Sequence, residues 1–143
     1  MILETTHNNK DTPLLANDLV GKPFSFIKTI QMKGIVSKRM IIRESSDNMK
    51  TYLNSTFDAT YAHIELRPLG VLVRIIKGFT NFTWVIPYYQ LVIYKGDRSS
   101  LYAQGRYIRF RKDEAFENNK SFMNKLMKYK SRYELKYAFL NFK

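Results

Sequence analysis

The chain has 143 residues, about one domain's worth, and its 45% hydrophobic and 15% aromatic content can bury one core without covalent help. It has no cysteine, which excludes disulfide frameworks, thiolate metal sites and cysteine nucleophiles and fits a reducing, cytoplasmic setting. The 24 Lys and Arg against 12 Asp and Glu give a formal charge of +12, a balance that attracts phosphate-rich partners but also keeps a protein soluble without any ligand.

The charge is uneven. Residues 1–20 hold one base (Lys10) and three acids (Glu4, Asp11, Asp18), a net −2, so the remainder carries +14. The opening residues lack the basic start and apolar run of a secretory signal, and no cleavage is expected. The longest apolar passages, 69–76 and 84–94, are interrupted by Arg74, Pro87 and Gln90 and fall short of the ~20 residues of a spanning helix. Residues 1–22 are polar, rich in Asn and Thr and end in Gly21-Lys22-Pro23, which predicts an irregular N-terminal arm; residues 23–143 are then one domain.

From Phe24 onward, Phe24, Phe26 and Ile30, then Met40, Ile41 and Ile42, read as a strand, a turn at Lys33-Gly34 and a second strand. Residues 44–50 hold consecutive turn formers, and 52–61 fit either a short helix or an irregular crossing. Two apolar runs flank Arg67-Pro68-Leu69-Gly70 and stop at Lys77-Gly78, which fits two strands or one bent strand. Thr83 to Tyr94 follows, and a loop at 95–100 leads into a second arm where Ile108 and Phe110 alternate with Tyr107, Arg109 and Arg111, the period of a strand with one wet face. Within the first arm, Trp84 and Ile86 fall out of phase with Leu91 and Ile93. A slip at Pro87-Tyr88 predicts a bulge that bends an antiparallel sheet, with Gly105 serving the same corner. From Asn118 or Asn119, either a suitable N-cap, Phe122, Leu126, Tyr129, Tyr133 and Tyr137 make one helical stripe, with Lys125, Lys128, Arg132 and Lys136 along its flank. That stripe is expected to cover the sheet; the other reading is a free membrane-surface or calmodulin-target helix.

These elements predict an α+β domain, a curved antiparallel sheet or half-barrel closed by a C-terminal amphipathic helix. In that order, and through the segments "WVIPYYQLVIY", "GRYIRFR" and "NKSFMNKLMKYK", the chain resembles bacterial pleckstrin-homology-like domains from about Phe24 to Tyr137. The resemblance implies a binding module for lipid or protein. Family members that bind phosphoinositides use a basic pattern at the first hairpin, and Lys33, Lys38, Arg39 and Arg43 occupy the corresponding region.

Catalysis has thin support. His7 lies in the polar arm, His63 precedes Ile64 in a strand, and no zinc-protease, nucleophile-elbow or phosphate-loop motif occurs. Glu114 and Glu117 are accounted for by a helix dipole. No enzyme activity, cofactor or metal is expected. The function read from sequence is a non-catalytic module peripheral to anionic membrane, or engaging a protein, through a basic face. The alternative is nucleic-acid binding by Arg106, Tyr107, Arg109, Arg111 and Lys112, where arginines flank an aromatic that could stack a base. Tyr88, Tyr89, Tyr94, Tyr102 and Tyr107 crowd the hairpin, as structural strand residues or as a contact surface, and an exposed sheet edge would allow a homodimer.

Overall fold

The fold, taken from a computed structural model, is described for residues 1–6, 11–54 and 59–141. Its strands are β1 (Ile2–Glu4), β2 (Met40–Ser45), β3 (Tyr61–Arg67), β4 (Gly70–Lys77), β5 (Thr80–Pro87), β6 (Val92–Tyr94), β7 (Asp97–Ala103) and β8 (Arg106–Phe110). Its helices are α1 (Asp11–Val20), α2 (Phe26–Gln31), α3 (Glu114–Asn118) and α4 (Lys120–Asn141). All strand pairs are antiparallel, in one sheet ordered β1-β5-β4-β3-β2-β8-β7-β6 that does not close.

Chain connectivity requires the sheet to roll up. In a flat sheet β5 and β6 would lie six strand spacings apart, about 29 Å, yet the link from Pro87 to Val92 spans at most about 18 Å fully extended. The ends therefore approach, and a side chain bridges them. Gln104, in the turn between β7 and β8, accepts from Trp84 Nε1 (3.1 Å) and donates to the Val85 carbonyl (3.1 Å) on β5.

Alternation along the strands divides the faces. Ala62, Ile64 and Leu66 of β3, Val71, Val73 and Ile75 of β4, and Trp84 and Ile86 of β5 point into the main core. Ile108 and Phe110 of β8 join them, so the wet-faced strand read from their alternation is present. Phe122, Met123 and Leu126 of α4 cover this core, the part of the helical stripe that packs on the sheet. Beyond Tyr133 the helix exposes its residues to solvent up to Tyr137.

Several expectations are corrected. Residues 1–6 and 11–22 do not form an irregular arm: β1 pairs with β5 (Ile2↔Trp84), and α1 sets Ala16 and Val20 against Leu72 and Val85 on the outer face of the sheet. Burying a valine side chain contributes about 1.5–3 kcal/mol, and strand pairing satisfies the backbone of β1. The expected first strand is instead α2. Ser25 Oγ accepts the Lys28 N–H (3.2 Å) as its N-cap, and the chain leaves the helix through Lys33 and Gly34 at φ 61° and 94°.

Pro87 is not a bulge. It ends β5 and opens a 3-10 turn, Tyr88–Gln90, so the phase slip records a change of direction rather than an extra residue. The Tyr88 N–H donates to the Leu69 carbonyl (2.9 Å) and that of Leu91 to Tyr88 (3.1 Å). Gly105 lies close to that turn, since the side chain of the adjacent Gln104 reaches the Val85 carbonyl (3.1 Å) and Gln90 (2.7 Å). With Gln104 it makes a two-residue turn, both at positive φ (73° and 56°), the combination that matches strand twist in a tight hairpin. The loop expected at 95–100 is only Lys95-Gly96, since Tyr94 already pairs with Asp97. Residues 47–52 form a 3-10 turn, and residues 55–58 of the ambiguous crossing lie outside the described residues. The striped helix α4 does begin directly after Asn119, at Lys120, and a short separate helix precedes it, α3, which Asp113 caps by accepting the Phe116 N–H (3.0 Å).

Candidate functional site: an apolar helix with a basic flank

The helix α2 buries none of its residues, and Phe26, Ile27 and Ile30 are 80%, 70% and 62% exposed. Lys22, Lys28 and Lys33 surround them and are exposed. The segments on either side of the helix lean on α4. Lys125 Nζ donates to the carbonyls of Gly34 (2.9 Å) and Lys33 (3.3 Å), which caps the chain leaving α2. Burial, and then the neighbouring Lys33 charge, lower the Lys125 pKa. Phe24 packs on Tyr129 with ring centroids 6.4 Å apart, and the Arg132 guanidinium lies 5.5 Å above the same ring.

The basic residues singled out from sequence thus divide. Lys33, Lys125 and Arg132 meet beside α2, with exposed Lys128 and Lys136 further along the solvent side of α4. Lys38 lies before β2, where its backbone pairs with Asn119. Arg39 stacks on Tyr61 (5.5 Å) at the other end of β3 from α2, and Arg43 is the exposed residue at the bulge in β2. The four first-hairpin residues therefore do not form one cluster.

The cations of β8 are engaged within the protein. Arg106 donates to the Asn48 carbonyl and lies over the Tyr52 ring (5.7 Å). Arg109 binds Glu44 (2.7 Å) and Ser100 (2.9 Å), Arg111 binds Asp113 (3.0 Å), and Lys112 lies 3.6 Å from Asp97. Tyr107 is half-buried against Tyr102 (5.3 Å), which contacts Tyr94 (5.4 Å), so the three tyrosines form a row across β8, β7 and β6.

Other polar residues have structural partners. Arg67, 6% exposed, binds Glu65 (2.6 Å), Asn17 Oδ1 (2.9 Å) and the Gly21 carbonyl (2.9 Å), which ties the end of α1 to β3. His63 faces outward on β3 opposite Arg74, and burial, then the charges of Arg74 and Arg39, lower its pKa. His7 lies outside the described residues. Among the described residues no buried side-chain nitrogen or oxygen lacks a hydrogen-bond partner, and no group of three or more His, Asp or Glu is placed to hold a metal ion. Among them, no helix is long and apolar enough to cross a membrane.

Sequence reasoning missed α2 as a surface because it read Phe26 and Ile30 as residues of a first strand. Their spacing of four, after a Ser that can cap, was the available signal. Comparison of the chain with protein-family models, curated proteins and solved structures gave no match.

Proposed function

We propose that the protein is a non-catalytic binding module, cytoplasmic and peripheral, that docks on an anionic membrane surface through α2 and the basic solvent side of α4. In this reading its rolled sheet and covering helix form a half-barrel of the pleckstrin-homology-like kind. The observation that carries the reading is the exposure of Phe26, Ile27 and Ile30 on a helix that buries nothing. Contiguous exposed apolar residues mark an interaction surface, and the lysines around this one favour a negative partner. Each Phe or Ile that leaves water fully gains about 1.5–3 kcal/mol, and each cation near an anionic bilayer adds about 1 kcal/mol. Phe79, fully exposed at the tip of the β4–β5 turn, is a second apolar point, but it sits at the opposite end of the sheet from the α2 lysines.

A nucleic-acid reading draws on the row of Tyr94, Tyr102 and Tyr107, whose faces could stack bases. It is the weaker of the two, because Arg109 and Arg111 would have to leave carboxylates to reach phosphates.

The test is vesicle flotation at about 0.15 M salt, with anionic and zwitterionic vesicles side by side. The wild type should float with the anionic set alone, and the Phe26→Ser/Ile27→Ser variant should lose roughly tenfold or more in apparent affinity. Absence of flotation with anionic vesicles would overturn the reading.

A further inference from the structure

A concavity of about 330 Å³ opens between the β6–β7 turn and the α3–α4 junction, over a floor of Phe116 and Met123. Four cations line it from separate parts of the chain: Lys95 in the turn, Arg98 at the start of β7, Lys112 after β8 and Lys120 at the start of α4. Two carboxylates share the space. Asp97 accepts from the Ser99 N–H (3.1 Å) and hydroxyl and lies 3.6 Å from Lys112, while Glu117 binds Lys120 (2.8 Å). Arg98 donates to Asn124, and among the described residues neither Lys95 nor Arg98 has a carboxylate within ion-pair distance.

We infer that this concavity binds a phosphate monoester, carried on a small molecule or on a lipid headgroup. The four cations exceed the two carboxylates by two charges, which matches a phosphate monoester at pH 7, at about −1.5 to −2. The cations approach from different elements, which suits an anion with several oxygens; one bidentate arginine would satisfy a flat carboxylate. The volume lies near the lower end of small-ligand pockets, about 300–1,000 Å³, and so fits a headgroup and not a polymer. Lys112 already belonged to the basic strand read from sequence, but the structure turns it toward Lys95, Arg98 and Lys120 instead of toward Arg106 and Tyr107. The inference does not require α2 to enter a bilayer.

The probe is inorganic pyrophosphate, titrated against the full chain by amide NMR, with Lys95→Gln/Arg98→Gln as the test variant. These side chains support no carboxylate, so their removal leaves no unpaired acid. Saturable binding with shifts at Gly96, Asp97 and Lys112, weakened roughly tenfold or more in the variant, is the expected result. A second arm compares vesicles bearing phosphatidic acid, a monoester, with diester vesicles of equal surface charge. Capture by the monoester vesicles that disappears in the variant, without pyrophosphate binding, assigns the lipid as the source and also supports the site. Binding of neither probe, or binding that the variant leaves unchanged, overturns the inference. Since pyrophosphate contains no bilayer, that failure is distinct from a failure of docking through α2.

Discussion

The side-chain amide of Asn119 pairs with the backbone of Lys38 in both directions: Oδ1 accepts the Lys38 N–H at 2.9 Å, and Nδ2 donates to the Lys38 carbonyl at 3.1 Å. Nδ2 also reaches the Ala115 carbonyl (3.1 Å) in the first turn of α3, and Asn119 is 2% exposed. One amide thus replaces a strand neighbour for the chain entering β2 and fixes the angle at which α4 leaves α3. Asn119→Ala would leave the Lys38 N–H without a partner, at about 1–3 kcal/mol, while the Lys38 carbonyl keeps the Ser37 hydroxyl (3.0 Å). Urea denaturation should show a loss of about 1–3 kcal/mol at an unchanged slope. A loss under 0.5 kcal/mol would mean that water takes over the pairing.

Gly70 and Gly96 make opposite predictions. A Cβ on Gly70 would lie 2.3 Å from the Ile86 carbonyl oxygen, 2.6 Å from Val20 Cγ1 and 2.8 Å from Pro87 Cα, and two of these are backbone atoms. The glycine is what lets α1 come down on β4. Gly70→Ala should cost about 1–3 kcal/mol or more and loosen α1, seen as faster amide exchange at Ala16 and Val20. At Gly96 a Cβ meets nothing within 4 Å and φ is not positive. There, alanine should be neutral or stabilise by about 0.4–1 kcal/mol through the unfolded chain.

These two sites also indicate how far the sequence could be read. The strand character of the two apolar runs flanking Pro68 and the alternation of Ile108 and Phe110 were legible because both patterns are local and their apolar phase faces one core. The pairing of Ile2 with Trp84 was not, since nothing within a short window marks a contact between such distant residues. In α2 the apolar residues were visible but their destination was not, because hydrophobic pattern assumes that such residues point inward. Pro87 shows a third kind of limit: a bulge and a 3-10 turn shift the phase alike, and only the distance between β5 and β6 in the sheet distinguishes them. The lysine-lined concavity had no linear signal, since its cations come together only when β7 and α4 are in place.

Exposed α2 residues should separate binding from stability. Since Phe26 and Ile27 touch no core, Phe26→Ser and Ile27→Ser should move folding stability by no more than about 0.5 kcal/mol, the range of ordinary surface changes. Leu126, fully buried on the sheet-facing side of α4, is the control: Leu126→Ala should cost about 2–5 kcal/mol. Thermal melts of the three variants would check this. A large destabilisation by Phe26→Ser would show that α2 packs within the chain in solution, and the case for a free apolar surface would fail.

Tyr88 gives the fold a predictable alkaline limit. Its hydroxyl donates to the Arg67 carbonyl (3.0 Å), its ring packs on Tyr133 (5.5 Å), and it is 1% exposed. Burial, and to a lesser degree Tyr129, raise its pKa well above the ordinary tyrosine value of 10.0. The folded state therefore holds the phenol proton where the unfolded chain releases it. Between the unfolded and folded pKa the native state binds more protons, so stability falls as pH rises. The contribution is complete below pH 10 and is lost progressively above it. Tyr88→Phe removes both the titration and the hydrogen bond, and because the Arg67 carbonyl keeps its place opposite Gly70 in the β3–β4 hairpin, the cost at neutral pH should be about 0.5–1.5 kcal/mol, the net worth of one hydrogen bond. Urea unfolding of both proteins at several pH values from neutral to alkaline should show that gap narrowing above pH 10. A gap that stays constant would place the Tyr88 hydroxyl in contact with solvent.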